Sequence, residues 1–217
     1  MTEDSETCPA DCAGKELETT FEFSLGSSGN IFTIEALRDV SISSFVINTM
    51  RKGEGTVKVF TKGGSYSGYE QNSEKWQLIY EDPSVYHNGR GKPTGLGDFN
   101  NPVPVASGST QSFFVTSSKG LVYQVGTEEG KVFASDESLV VYEGIGTTAE
   151  FTGDLYKPRV FGGKIRYVAE CDLILIIPVF CITKNSPRVV SSRKKRNLAV
   201  CFYVDKFIHN IQHRCYA

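Results

Sequence analysis

Apolar and polar residues alternate in short runs along most of this chain. Val57 and Val59 stand against Thr56 and Lys58, and Trp76, Leu78 and Tyr80 recur at every second position. A period of two puts successive side chains on opposite faces of an extended strand, one of them buried. Runs rich in β-branched and aromatic residues, punctuated by Gly, Ser, Asn and Pro, predict strands at 19–25, 31–37, 40–48, 56–61, 76–81, 103–106, 111–117, 121–125, 138–143 and 164–168. The runs recur about every ten residues, the rhythm of a sandwich or barrel, and no helical period competes. The expected fold class is all-β: an antiparallel β-sandwich, jelly-roll-like, of about eight to ten short strands with an irregular C-terminal tail.

Turn chemistry supports this reading. Ala106-Ser107-Gly108-Ser109 and Ser118-Lys119-Gly120 each predict a hairpin loop with Gly available for positive φ. Pro102 and Pro104 remove backbone donors around Val103, which predicts a sheet edge or an irregular start there. In 40–48, Ile42 and Phe45 have opposite parity, so that strand is either covered on both faces or shifted by a bulge. Residues 83–101 read as one long irregular loop.

The rhythm ends near Tyr167, dividing the chain into a Cys-containing flank (1–16), a β-sandwich module (17–169) and a basic Cys- and His-containing tail (170–217). The tail, from Cys171-Asp172-Leu173-Ile174-Leu175 through Arg193-Lys194-Lys195-Arg196, lacks turn punctuation and has the texture a misplaced exon boundary would give. Charge divides the same way: residues 1–169 carry 15 Lys/Arg against 22 Asp/Glu, residues 170–217 carry 8 against 3. An acidic body argues against nucleic acid as the main partner, which would need a basic face to displace counterions.

All six cysteines (Cys8, Cys12, Cys171, Cys181, Cys201, Cys215) flank the module, so its fold requires no internal disulfide, and the redox compartment stays open. Residues 1–7 are polar and acidic where a secretory signal needs a basic start and an apolar run, leaving a cytosolic protein or a piece of a longer one as alternatives. The apolar run 173–182 is interrupted by Pro178 and reaches about half the length of a spanning helix, so no membrane span is expected.

Enzyme chemistry finds little footing. Gly89-Arg90-Gly91-Lys92-Pro93-Thr94 fails as a phosphate loop, with Tyr86 and Pro93 at positions that need Gly and Ser or Thr; Gly130-Lys131 fails likewise. His87 is the module's only histidine and reads as a solvent-facing loop residue rather than the base of a nucleophile. Glu143, Glu150 and Asp154 are carboxylates of a glycosidase kind without a placing motif. Asp98, Asn100, Asn101, Asp136 and Glu137 are calcium-competent donors without a spacing signature, so no cofactor is assigned. In the tail, His209, His213, Cys201 and Cys215 are zinc-competent but lack a paired Cys-x-x-Cys, and residues 193–196 read as a solvated basic run.

Aromatic residues in Gly-rich context are the remaining signal. Tyr66 and Tyr69 flank Gly68, with Glu70 and Asn72 following, and the stretch Gly63-Gly64-Ser65 offers no apolar run to bury them. Tyr66, Tyr69, Glu70 and Asn72 are therefore the candidate ligand site, exposed rings with polar help suited to a glycan, whereas Trp76 is expected in the core.

Gly29-Asn30-Ile31-Phe32, the run from Val57 through Tyr66, Gln111-Ser112-Phe113-Phe114-Val115-Thr116, Val141-Tyr142-Glu143-Gly144 and the run from Lys157 through Tyr167 together resemble a recurrent β-rich module. It is found in predicted secreted and cell-surface proteins of diatoms, other microalgae and bacteria. The resemblance covers residues 17–167 and implies a non-enzymatic module of an extracellular or cell-surface protein, with a glycan or another surface protein as partner and no catalytic residues to carry over. The leading expectation is a binding or adhesion module; a ligand-free structural spacer and a small hydrolase are the alternatives.

Overall fold

Period-two alternation is realised as two antiparallel sheets packed face to face. The computed structural model describes residues 14–22 and 25–169. The strands are β1 (Lys15–Glu18), β2 (Leu25–Ala36), β3 (Val40–Asn48), β4 (Lys52–Gly63), β5 (Gln77–Asn88), β6 (Pro93–Gly95), β7 (Val103–Val105), β8 (Thr110–Val125), β9 (Val132–Ser135), β10 (Leu139–Tyr142), β11 (Gly144–Thr147), β12 (Leu155–Phe161) and β13 (Gly163–Ala169). A five-stranded sheet has the order β1-β13-β3-β6, with β7 also on β3. An eight-stranded sheet runs β5-β4-β8-β12-β11-β2-β10-β9, and β8 also pairs with β2. The expected all-β sandwich is the fold.

Its strands are more numerous and longer than expected: β2, β4 and β5 have 12 residues each and β8 has 16. Gly and Ser that read as strand ends sit inside bulged ladders instead. Ser118-Lys119-Gly120 forms no hairpin. Ser117 pairs with Val57 of β4 and Leu121 with Ser27 of β2, so β8 continues through a bulge where Gly120 takes φ +72. Ala106-Ser107-Gly108-Ser109 is a turn, with Ser109 N–H donating to the Ala106 carbonyl at 2.9 Å, yet it joins the two sheets and is not a hairpin.

Other departures share that cause. Residues 83–88 belong to β5 and 93–95 to β6, and only 89–92 and 96–101 remain of the expected long loop. The expected strand at 19–25 lies earlier, as β1, whose Lys15 and Glu16 fall inside the supposed flank. Leu78 is 45% exposed on β5, an outer strand, and does not share a buried face with Trp76 and Tyr80. The parity conflict in β3 resolves as a bulge at Ser43, because Arg166 pairs with Ser44 while Tyr167 pairs with Ile42. Val103 begins the short β7 at the margin of its sheet, as its prolines require.

Side chains from both sheets meet in an inner core around Phe32, Phe45, Phe113 and Phe161. Phe32 stacks on Phe161 at 4.3 Å between ring centroids, and Phe45 meets Phe113 edge-on at 5.1 Å. Burial of each such ring contributes about 1.5–3 kcal/mol. Neighbouring residues point the other way, and Ile31, Phe60, Phe114 and Ile145 form a second cluster on the outer face of the large sheet. Tyr66 and Trp76 close it from the loop after β4, Phe151 and Leu155 from the segment after β11.

Candidate functional site

Next to that outer cluster the large sheet carries a polar strip. Thr33 of β2 lies opposite Ser112 of β8, their hydroxyls 2.8 Å apart, and Lys62 of β4 lies opposite Ser112 in turn. Strips of this kind arise because every second residue of each strand faces the same side. Thr33 of this strip lines an open depression of about 360 Å³, together with Ser65, Tyr66, Ser67, Glu129 and Tyr142 among others.

Each wall is built by local hydrogen bonding. On one side, Ser112 Oγ donates to the Gly64 carbonyl at 2.7 Å and Lys62 Nζ donates to the Ser65 carbonyl at 2.7 Å, which holds the loop after β4 against the sheet. On the other, the Glu143 carboxylate accepts from Thr127 N–H, Thr127 Oγ1 at 3.0 Å and Glu128 N–H at 2.9 Å, fixing the turn that carries Glu129. Tyr66 links the walls, donating its hydroxyl to Glu129 Oε1 at 3.0 Å. Burial, reinforced by Glu129, pushes the Tyr66 phenol well above its ordinary range. Tyr142 donates to Glu35, and that hydrogen bond, followed by burial, raises its phenol as well.

The four residues expected to bind separate into different roles. Tyr66 is a core residue, 4% exposed, at the edge of the depression; the expectation of an exposed ring is overturned because the loop folds back over Ile31 and Phe114. Tyr69 is 40% exposed, with Lys62 Nζ 4.6 Å above its ring. Glu70 lies 3.8 Å from Lys157 Nζ, which also pairs with Glu129 at 3.1 Å. Asn72 is exposed at the head of the short helical turn Ser73–Lys75, outside the lining. Ser65 and Ser67, the hydroxyls that the Gly-rich loop offers in the sequence, do line the depression, whereas no motif in the sequence singles out Thr33, Glu129 or Tyr142 as site residues. Tyr142 shares the outward parity of Val140, the one signal that pointed to it.

His87 is not a loop residue. It is fully buried on β5, with Nδ1 facing the carbonyls of Val85 at 2.9 Å and Gly53 at 3.2 Å, and Nε2 2.9 Å from Ser117 Oγ. Two carbonyl partners place the proton on Nδ1, so Nε2 accepts from the serine. The pair resembles a nucleophile with its base, but both residues are buried and neither lines the depression. Burial lowers the His87 pKa.

Two of the other candidate acids hold the fold together. Asp136, a calcium candidate, accepts from the N–H groups of Ser138 and Leu139 and from Tyr167 Oη at 2.6 Å. Glu150 accepts from Thr116 Oγ1 at 3.3 Å and pairs with Lys58 at 3.5 Å. Among the described residues no group of three or more His, Cys, Asp or Glu is placed to hold a metal, and no helix is long and apolar enough to cross a membrane. The candidate zinc ligands Cys201, His209, His213 and Cys215, the run 193–196 and all six cysteines lie outside the described residues. Comparison with protein-family models and with curated proteins found no match for this chain.

Proposed function

We propose that this chain is a non-enzymatic binding module of a surface or secreted protein, with a glycan as its ligand in the depression on the outer face of the large sheet. One observation carries the reading: Thr33, Ser65, Ser67 and Tyr142 put hydroxyls, and Glu129 a carboxylate, around one open cavity, while the exposed ring of Tyr69 stands on the adjoining loop. Sugar rings offer many hydroxyls and flat C–H faces, and sites for them combine a few polar groups with an aromatic surface. Acid-base or nucleophilic work is poorly served there, since the lining includes no histidine or cysteine and both oxygens of Glu143 accept hydrogen bonds from Thr127 and Glu128.

A ligand-free spacer is the second reading, and the strand order weighs against it. Lys15 of β1 lies opposite Tyr167 of β13, so the module's two ends leave side by side. A spacer holds its neighbours apart, whereas adjacent ends suit a domain that projects from its attachment point.

The test is binding of the full-length protein to a glycan array, repeated with Tyr69→Ala and Glu129→Gln. Retention of a glycan class that weakens about tenfold in each variant, a loss of about 1.4 kcal/mol, is the expected result. A folded protein that retains no glycan would leave the spacer reading in its place.

A further inference from the structure

One end of the sandwich collects basic side chains, and it lies away from the residues that line the depression. Arg51 and Lys52 stand at the start of β4, Arg90 and Lys92 in the turn between β5 and β6, and Lys119 in the bulge of β8. Pairing brings these segments together. Lys52 lies opposite Asn88, Met50 N–H donates to the Gly120 carbonyl at 3.0 Å, and a Cβ at Gly53 would lie 3.9 Å from Lys119 Nζ. The buried Asn48 ties the turn to the sheet, its Oδ1 accepting from Gly91 N–H at 2.9 Å.

None of Arg51, Lys52, Lys92 and Lys119 takes part in an ion pair among the described residues; the eight pairs there use Lys15, Lys58, Lys157, Lys164 and Arg166. Arg51, Lys52, Arg90 and Lys92 are exposed. Exposed Glu54, opposite Tyr86, is the nearby acid on the β4–β5 ladder. The ring of Tyr86 is 54% exposed, with Lys52 Nζ 6.0 Å from its centroid.

The geometry points to a docking surface for a sulfated polysaccharide. Clustered cations attract a polyanion and gain from counterion release, while the flat face of Tyr86 can pack against a sugar ring between sulfates. A single ring among three turns gives neither the row of stacking platforms that single-stranded nucleic acid uses nor the helix or ribbon that enters a duplex groove. The body is acidic even with the patch counted, 15 basic against 22 acidic residues in 1–169, which disfavours a rigid duplex laid across it.

Retention on immobilised dextran sulfate tests this in the full-length chain. The background carries Arg193→Gln, Lys194→Gln, Lys195→Gln and Arg196→Gln, so that the basic run of the tail does not supply the signal. This protein should bind, and raising NaCl from about 50 to about 200 mM should weaken binding about tenfold or more. Arg51→Glu with Lys92→Glu should weaken it by at least as much, while Arg38→Glu with Lys75→Glu, an equal change in net charge at exposed positions elsewhere, should leave it within about twofold. Melting curves of both pairs check that the fold is kept. Equal losses in the two pairs, no retention of the background protein, or tighter binding to duplex DNA than to dextran sulfate would each overturn the assignment. Tyr69→Ala should leave this retention unchanged, so failure here and failure of the depression as a glycan site are distinguishable.

Discussion

The two faces of the large sheet are both apolar, but they are closed by different means. The inner face is sealed by a second sheet, so Phe32, Phe113 and Val59 are held by ladders on both sides. The outer face is sealed by two irregular segments that bring Tyr66, Trp76 and Phe151 over Ile31, Phe60 and Phe114. Closure by ladders is cooperative with the whole fold, whereas closure by loops opens locally at lower cost. Function in β-sandwiches favours the second kind of surface, where loops rest on a rigid sheet.

The sharpest way to break this contrast is to cut into each core. Phe32→Ala removes a fully buried ring stacked on Phe161 and tilted against Phe45, and should cost about 3–5 kcal/mol in denaturant unfolding. A loss below about 2 kcal/mol would mean that the inner sheet pair does not carry the stability.

Phe151 probes the outer closure. Its ring meets Phe60 at 4.9 Å and Phe114 at 5.1 Å, both edge-on, from a backbone at φ +58, where a bulky residue is strained. Phe151→Ala should cost about 2–3 kcal/mol, and Phe151→Gly about 1 kcal/mol less, because glycine relieves the backbone while losing the same ring. Hydrogen exchange should quicken in 64–76 and 148–154 and stay unchanged in β3 and β13. If Ala and Gly are equally costly, strain at this position is absent.

A smaller effect separates the two ends of β5. His87 is buried beside Ser117, with Lys119 raising the cost of a positive charge, and its pKa lies below the ordinary value of 6.5. The unfolded chain therefore binds the proton more readily. The stability this group contributes is complete above about pH 6.5 and is lost as pH falls from there toward the lower folded value. His87→Gln should flatten the dependence below about pH 6.5, read as the difference between the two proteins. An identical slope in both would assign the effect to other groups.

The inner core was legible from alternation, since Val57 and Val59 mark one face and Thr56 and Lys58 the other. The outer core left a fainter trace. Ile31-Phe32, Val59-Phe60 and Phe113-Phe114 are adjacent apolar pairs in β2, β4 and β8, and such pairs mean that both faces of a sheet are covered. Tyr66, Trp76 and Phe151 have no period because their segments are irregular, so only the sheet could show what they cover. Ser118-Lys119-Gly120 misled for a related reason: Gly at positive φ serves a bulge as well as a hairpin, and only pairing partners distinguish the two. The depression was legible in part, through the Gly-rich loop; its floor and far wall depend on register across strands distant in sequence.

The least costly substitution is the most informative about the surface. Tyr69 sits on the same loop as Tyr66, three residues on, yet its ring is outside the outer core and rests against Lys62 Nζ. Exposed cation–π contacts contribute about 0.5–1 kcal/mol. Lys62 keeps its bonds to the Gly63 and Ser65 carbonyls without the ring, and the backbone turn from Tyr69 N–H to the Tyr66 carbonyl does not use the side chain. Tyr69→Ala should therefore shift unfolding by no more than about 1 kcal/mol, while Tyr66→Ala, at a buried ring bonded to Glu129, should cost about 3 kcal/mol or more. Thermal melts of the two variants decide whether the loop divides in this way. Equal losses would place Tyr69 in the closure of the outer core and remove the aromatic surface on which the glycan reading depends.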